Sequence, residues 1–175
     1  ETICAKYTFI VLRCPFTRVA SCFLDKIVGG VFDFTDISGD KFNVSFNDFL
    51  SVIKSQNRID RNEHWRNQSD FLHYEKYDDY FSLESFTEAI QSLYKRGFIV
   101  HDTRSLLDHD LSSMNRVEGD FSKMKEIEIK KMREEGSMPS YKSMFTQSEV
   151  ELVNDIYKDD IDLYKTQFGE KNLLF

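Results

Sequence analysis

The sequence predicts an α/β fold in which a parallel sheet is flanked by helices. The run Tyr7-Thr8-Phe9-Ile10-Val11-Leu12 passes directly into Arg13-Cys14-Pro15. Five consecutive residues, Thr8 to Leu12, are β-branched, aromatic or aliphatic, which suits a strand buried on both faces. Pro15 cannot continue a ladder but opens a helix well, so strand and helix meet there. The segments that follow carry apolar residues at helical spacing behind recognisable caps.

Each element follows in turn. The first helix is expected over roughly 16–28, with Val19, Ala20, Phe23 and Ile27 on one stripe, stopped by Gly29-Gly30. Ser45-Phe46-Asn47-Asp48 offers a serine cap for a short helix through Lys54. Residues 55–70 are almost wholly polar and read as a surface loop carrying His64 and Trp65. A lone Trp in such a loop wants burial or a ligand to stack on. Ser85-Phe86-Thr87-Glu88 reads as a capping box for a helix ending near Gly97, and Phe98-Ile99-Val100 as a short strand. From His101 to Ser140 charges multiply and aromatics thin out, which reads as a lid or variable excursion with an exposed helix over 123–135. Thr146-Gln147-Ser148-Glu149 is a further capping box. It opens a helix whose stripe of Val150, Val153, Ile156, Tyr157, Ile161 and Tyr164 packs on the core, ended by Gly169.

Composition sets the bounds. At 175 residues the chain reads as one domain, large enough to bury about 70% of its unfolded surface. Sixteen Phe and eight Tyr supply an aromatic core. No apolar run approaches the ~18 residues that cross a bilayer, so no membrane contact is evident in the sequence. Cys4, Cys14 and Cys22 match no zinc spacing and read as core thiols. His101, Asp102, Asp108, His109 and Asp110 lack the spacing of a metal site, and no metal is expected. The Asn-x-Ser sequons at Asn43 and Asn67 carry little weight. A net charge of −7 argues against nucleic-acid binding, although Arg58, Arg61 and Arg66 gather around the His-Trp segment.

Arg13 falls at the carboxyl end of the first strand, where open α/β sheets bind their ligands. Ser21 follows about two helical turns into the helix. A guanidinium and a hydroxyl converging there suit a phosphate. An Arg at a strand end also commonly makes a structural ion pair, and Arg18 is read as a brace against Asp25.

The order strand, Arg13, Cys14, Pro15, Phe16, Arg18, Ser21, Phe23 resembles the 3′-phosphate-binding segment of the Golgi-type carbohydrate sulfotransferases and their bacterial and viral relatives. Their pattern runs Arg-Asp-Pro-Phe-x-Arg-Leu-x-Ser-x-Tyr. Cys14 replaces the Asp and Phe23 the Tyr, and neither change removes a phosphate ligand. His64, Trp65 and Gln68 match a His-Trp-x-Pro-Gln pattern in which Asn67 replaces Pro. The stretch 77–86 is similar to the strand and turn that follow in the family, and Tyr141-Lys142-Ser143-Met144-Phe145 with the helix after it resembles the family's closing segment.

This resemblance implies a P-loop nucleotide-kinase-like sulfotransferase fold. It also implies transfer of a sulfuryl group from 3′-phosphoadenosine 5′-phosphosulfate to a hydroxyl, on a carbohydrate. By the same resemblance, Arg13 and Ser21 bind the donor's 3′-phosphate, while Trp65, Arg66 and Gln68 line the donor or acceptor side. His64 is the local candidate for the catalytic base, and Lys142 a weaker phosphate contact. The family holds the 5′-phosphosulfate on a strand–loop–helix upstream of this segment. Only twelve residues precede Arg13, so that part is expected to be missing. The alternative is a non-catalytic glycan- or protein-binding module of the same fold.

Overall fold

The computed structural model describes residues 5–32, 43–101 and 114–175. Strand β1 (Phe9–Leu12) pairs in parallel with β2 (Asp79–Ser82), Phe9 opposite Asp79 and Leu12 opposite Ser82. A second parallel pair joins β3 (Asn115–Val117) to β4 (Ser137–Pro139). Six α-helices flank these sheets among the described residues: α1 (Pro15–Cys22), α2 (Phe46–Ser55), α3 (Phe86–Lys95), α4 (Glu126–Glu134), α5 (Gln147–Ile156) and α6 (Lys158–Phe168). The predicted α/β class with parallel strands is therefore the observed one.

The core lies where α1, α2 and α5 meet. Val19, Ala20, Phe23 and Ile27 are all buried on the stripe the sequence marks, and Phe16 is buried with them. Phe23 contacts Phe46 and Phe49 of α2, each with centroids 5.5 Å apart. Ser45 caps α2: its hydroxyl accepts from the Asp48 N–H at 3.2 Å, and the Asp48 carboxylate accepts from the Ser45 N–H at 2.9 Å. After Cys22 the first helix widens into a π-helical turn over Phe23–Ile27, with the Val28 N–H donating to the Phe23 carbonyl. Such turns re-aim side chains and are common at functional sites. Here the turn carries Asp25 and Lys26.

Several expectations are corrected. β1 is not buried on both faces: Phe9 is 44% and Val11 37% exposed, while Leu12 is 2%. On its outer face Phe9 meets Phe81 and Tyr7, and Tyr7 stacks in turn on Phe98. Residues 98–100 form no strand; the chain leaves α3 through Gly97 in the left-handed region, and Ile99 is exposed. Ser85 does not cap α3; its hydroxyl instead accepts from Asn172. The polar segment 55–70 is not all surface, since Arg61, Trp65 and Asn67 are buried.

The C-terminal helix breaks at Tyr157 (φ −116°, ψ 28°) into α5 and α6. The break has a cause at both ends. The buried Tyr157 hydroxyl donates to the Trp65 carbonyl at 2.7 Å, and Asn67 donates to the Ile156 carbonyl at 3.3 Å.

Of the excursion expected at about 101–140, residues 102–113 lie outside the described residues. The rest carries Phe121, Ile129 and Met138 into the core. Of the acidic-histidine stretch, only His101 is described. No helix among the described residues is long and apolar enough to cross a membrane.

Candidate active site

The site begins with how Arg13 is held. Its backbone N–H donates to Gln68 Oε1 at 2.8 Å, and Gln68 Nε2 donates back to the Arg13 carbonyl at 2.8 Å. Gln68 opens a 3-10 turn over Gln68–Phe71. The buried Asp160 carboxylate of α6 satisfies that turn's first donors, accepting from the N–H groups of Gln68 (2.7 Å) and Ser69 (3.0 Å) and from the Ser69 hydroxyl (2.8 Å). A carboxylate at the start of such a turn suits its orphan N–H groups. Glu84 does the same for α1, accepting from the Cys14 N–H and the Thr17 hydroxyl, each at 3.0 Å. Its other oxygen accepts from Ser82 (2.8 Å) and Tyr164 (2.9 Å).

Arg18, Ser21, Cys22 and Asp25 recur at three- and four-residue spacing, so they share one face of the first helix. With Arg13, Lys26 and His64 they line a cleft of about 170 Å3. Arg18 does not brace against Asp25: its two terminal nitrogens donate to the carbonyls of Arg66 (2.7 Å) and Glu63 (3.2 Å). A planar fork matches two carbonyls in a way one carboxylate across the helix does not. Lys26 is ion-paired to Asp25 at 3.0 Å. Burial pushes the Cys22 thiol up to about 12, so it is a packed thiol and not a nucleophile.

The other predicted residues have separate places. His64 opens on the cleft, its ring 5.4 Å from that of Phe32. Trp65 lies in the core at 6% exposure, edge-on to Phe32 and Phe49, each at 5.7 Å, with its indole N–H donating to Gln56. Arg66 donates to the carbonyls of Arg61 (3.1 Å) and Ile59 (3.0 Å) and stands over Phe71. Gln68 holds the Arg13 backbone as described. Lys142 is exposed and does not line the cleft. Thus Arg13, Ser21 and His64 come together, whereas Trp65, Arg66 and Gln68 engage the protein itself.

Tyr141 is the neighbour that sequence reasoning does not place here. The guanidinium carbons of Arg13 and Arg116 stand 5.7 and 5.2 Å from its ring centre. Burial pushes the phenol's pKa up, but the Ser21 hydrogen bond and the positive charge of Arg13 and Arg116 outweigh it, leaving the pKa below the ordinary tyrosine value.

This cleft offers a guanidinium and a hydroxyl at the end of a parallel strand, groups that suit an anion. The sequence model of the sulfotransferase family matches residues 2–167. The chain belongs to the sulfotransferase family. Sulfuryl transfer is that family's chemistry, and the mixed α/β architecture with two small parallel sheets is consistent with a sulfotransferase-type fold. Neither the curated proteins nor the solved structures give a significant match. Within this sulfotransferase, Asp160 and Glu84 support the strand end that carries Arg13, and the Tyr141 ring faces the Arg13 guanidinium. The presence of a Tyr at the head of the closing segment was the one available signal for the last of these.

Proposed function

We propose that this sulfotransferase moves a sulfuryl group from 3′-phosphoadenosine 5′-phosphosulfate to a hydroxyl on a carbohydrate, with Arg13 and Ser21 holding the donor's 3′-phosphate. The observation that carries the reading is that both residues line one cleft, and that among the described residues Arg13 makes no salt bridge that would neutralise it. The residues fit the group by chemistry: a guanidinium presents paired donors to phosphate oxygens, and the hydroxyl adds another. They fit by size too, since about 170 Å3 is below the ~300–1,000 Å3 that encloses a whole drug-sized ligand. The cleft thus takes one end of a nucleotide.

The donor supplies an activated sulfuryl group through its phosphosulfate anhydride. Arg13 and Ser21 fix the far end of that nucleotide by charge-assisted bonds of about 1.5–3 kcal/mol each. Fixing one end restricts the pose of the other, and positioning of this kind is a large part of group-transfer catalysis. Arg18 keeps the His64 loop against α1 through the Glu63 and Arg66 carbonyls. A base for the acceptor must reach the attacking hydroxyl within ~2.6–3.2 Å. The 3′-phosphate and the reacting sulfur lie at opposite ends of the nucleotide. In this reading, therefore, His64 serves the 3′ end as a hydrogen-bond donor, and the acceptor's proton leaves elsewhere.

The test is calorimetric titration of the full-length chain with adenosine 3′,5′-bisphosphate. Arg13→Ala is expected to weaken binding ~10-fold or more, the loss of one charge-assisted contact. Absence of both heat and thermal shift in the wild-type chain refutes the proposal. Retained glycan binding with no transfer of labelled sulfate identifies a binding module instead.

A further inference from the structure

We infer that a cavity at the carboxyl end of β2, lined among others by Ser82, Ser85, Glu88, Phe168, Lys171 and Asn172, binds a single neutral sugar ring. This deepens the reading above: it rests on a carbohydrate being the ligand class and says which residues hold it.

The sequence marks Ser85 and Glu88 as a capping box for α3, yet neither side chain caps that helix. The Ser85 hydroxyl makes no capping bond and accepts from Asn172 Nδ2 at 3.3 Å. The Glu88 carboxylate is exposed and bonds to no described residue. A helix that forgoes the stabilisation of its cap breaks a local rule, and such breaks concentrate at functional sites. The opposite wall comes from the end of the chain. Gly169, at φ 70°, ends α6 and turns the backbone, so that Lys171 and Asn172 come to the start of α3. Glu170 is paired with Lys165 at 3.0 Å, which leaves the Lys171 ammonium without an ion pair among the described residues.

This lining has the balance that a polyol needs. Glu88 accepts hydrogen bonds, Lys171 donates them, and the Asn172 amide and Ser85 hydroxyl do both. The half-buried ring of Phe168, tilted against Tyr164 at 4.8 Å, adds an aromatic surface for the C–H face of a sugar. An anion here meets Glu88 and a cation meets Lys171, so the pair disfavours either charge. An apolar ligand would take both charges out of water without a partner. The volume of about 270 Å3 lies just below the ~300–1,000 Å3 of pockets that enclose drug-sized ligands, which suits one sugar ring. Position agrees with chemistry. Leu12 lies opposite Ser82, so this cavity and the Arg13 cleft stand beside the carboxyl ends of two paired strands, where open α/β sheets take their ligands. The Ser82 hydroxyl is committed to Glu84 at 2.8 Å and Tyr164 at 2.7 Å, so Ser82 forms wall and not grip. The two cavities share no lining residue.

The experiment is an amide NMR titration of the full-length chain with the methyl glycosides of glucose, galactose and N-acetylglucosamine, with glycine and inorganic phosphate as charged controls. At least one glycoside is expected to shift the amides of Ser85, Glu88 and Asn172 saturably while those of Arg13 and Ser21 stay in place. Glu88→Ala and Lys171→Ala should each weaken that glycoside about fivefold, through loss of a hydrogen bond to a charged group. Both side chains are exposed, so melting temperature and affinity for adenosine 3′,5′-bisphosphate should stay unchanged in both variants. The inference is overturned if none of the three glycosides gives a saturable shift, or if the shifts fall on the Arg13 cleft alone. It is equally overturned if either variant keeps the wild-type glycoside affinity, or if glycine or phosphate binds this cavity as tightly as the best glycoside. If the bisphosphate binds and no glycoside does, this inference fails and the donor assignment stands. If a glycoside binds here and the bisphosphate does not bind at all, the donor assignment fails and the sugar site stands.

Discussion

Replacing Gln68 by Ala tests the most specific structural assignment in the site. The side chain makes two hydrogen bonds with the Arg13 backbone, one as acceptor and one as donor, both at 2.8 Å. Each is worth a net ~0.5–1.5 kcal/mol, so removal of both costs about 1–3 kcal/mol. Arg13 is half-buried, and water can replace part of what is lost, which places the expectation at about 1–2 kcal/mol. For a domain of this size that lowers the melting temperature by roughly 2–8 °C. Nucleotide affinity should fall as well, because the strand end carrying Arg13 loses its clamp. Gln68→Glu is the sharper variant: it retains an acceptor for the Arg13 N–H but turns a carboxylate oxygen toward the Arg13 carbonyl, and its stability loss should exceed that of Gln68→Ala. Urea unfolding and calorimetric titration with adenosine 3′,5′-bisphosphate measure both effects. A stability change within the ~0.5 kcal/mol typical of neutral surface substitutions, with nucleotide affinity unchanged and acceptor KM raised, refutes the reasoning and assigns Gln68 to the acceptor.

Two further outcomes follow from buried groups. Burial pushes the Glu149 carboxyl up, but hydrogen bonds from Thr146 and Asn47 outweigh it and hold the pKa below the ordinary carboxylate value. A depressed carboxyl contributes stability above its unfolded pKa of about 4.3 and loses that contribution as pH falls through its folded value. Glu149→Gln should therefore melt lower than wild type at pH 7 and show a flatter decline below about pH 4.5; parallel curves would contradict this. Cys14 and Cys22 are both buried, and burial holds the Cys22 thiol near 12. Iodoacetamide at pH 8 should leave both unmodified in the native chain and label them after unfolding, as read by peptide mass spectrometry. Native-state labelling of Cys22 at the rate of a free thiol would show that the α1 packing is wrong.

Much of the local structure was legible beforehand. The stripe Val19, Ala20, Phe23 and Ile27 is buried as its period demands, and Ser45 caps α2. Pro15 opens α1, and Gly169 ends α6 with positive φ. The region around Thr146 shows both the reach and the limit of such signals. The Glu149 carboxylate turns back on the Thr146 N–H as a capping box requires, while the Thr146 hydroxyl donates to that carboxylate. Arg13 and Ser21 line one cleft, as a strand end and a helix period, both properties of neighbouring residues, lead one to expect.

What the sequence determined alone is therefore whatever rests on contacts within about four residues: period, caps, the proline entry and the glycine exit. Tertiary structure decided the rest. Trp65 was free to face a ligand until Phe32, Phe49 and Gln56 enclosed it. The helix behind it was continuous by period and broke because Tyr157 and Ile156 bond to a loop some 90 residues earlier. Arg116 comes to lie beside the Tyr141 ring where β3 pairs with β4. Hydrogen bonds and charge contacts between such distant residues depend on where the folded chain returns. No propensity of either residue encodes that return, and this is why the cleft is half visible in the sequence and complete only in the fold.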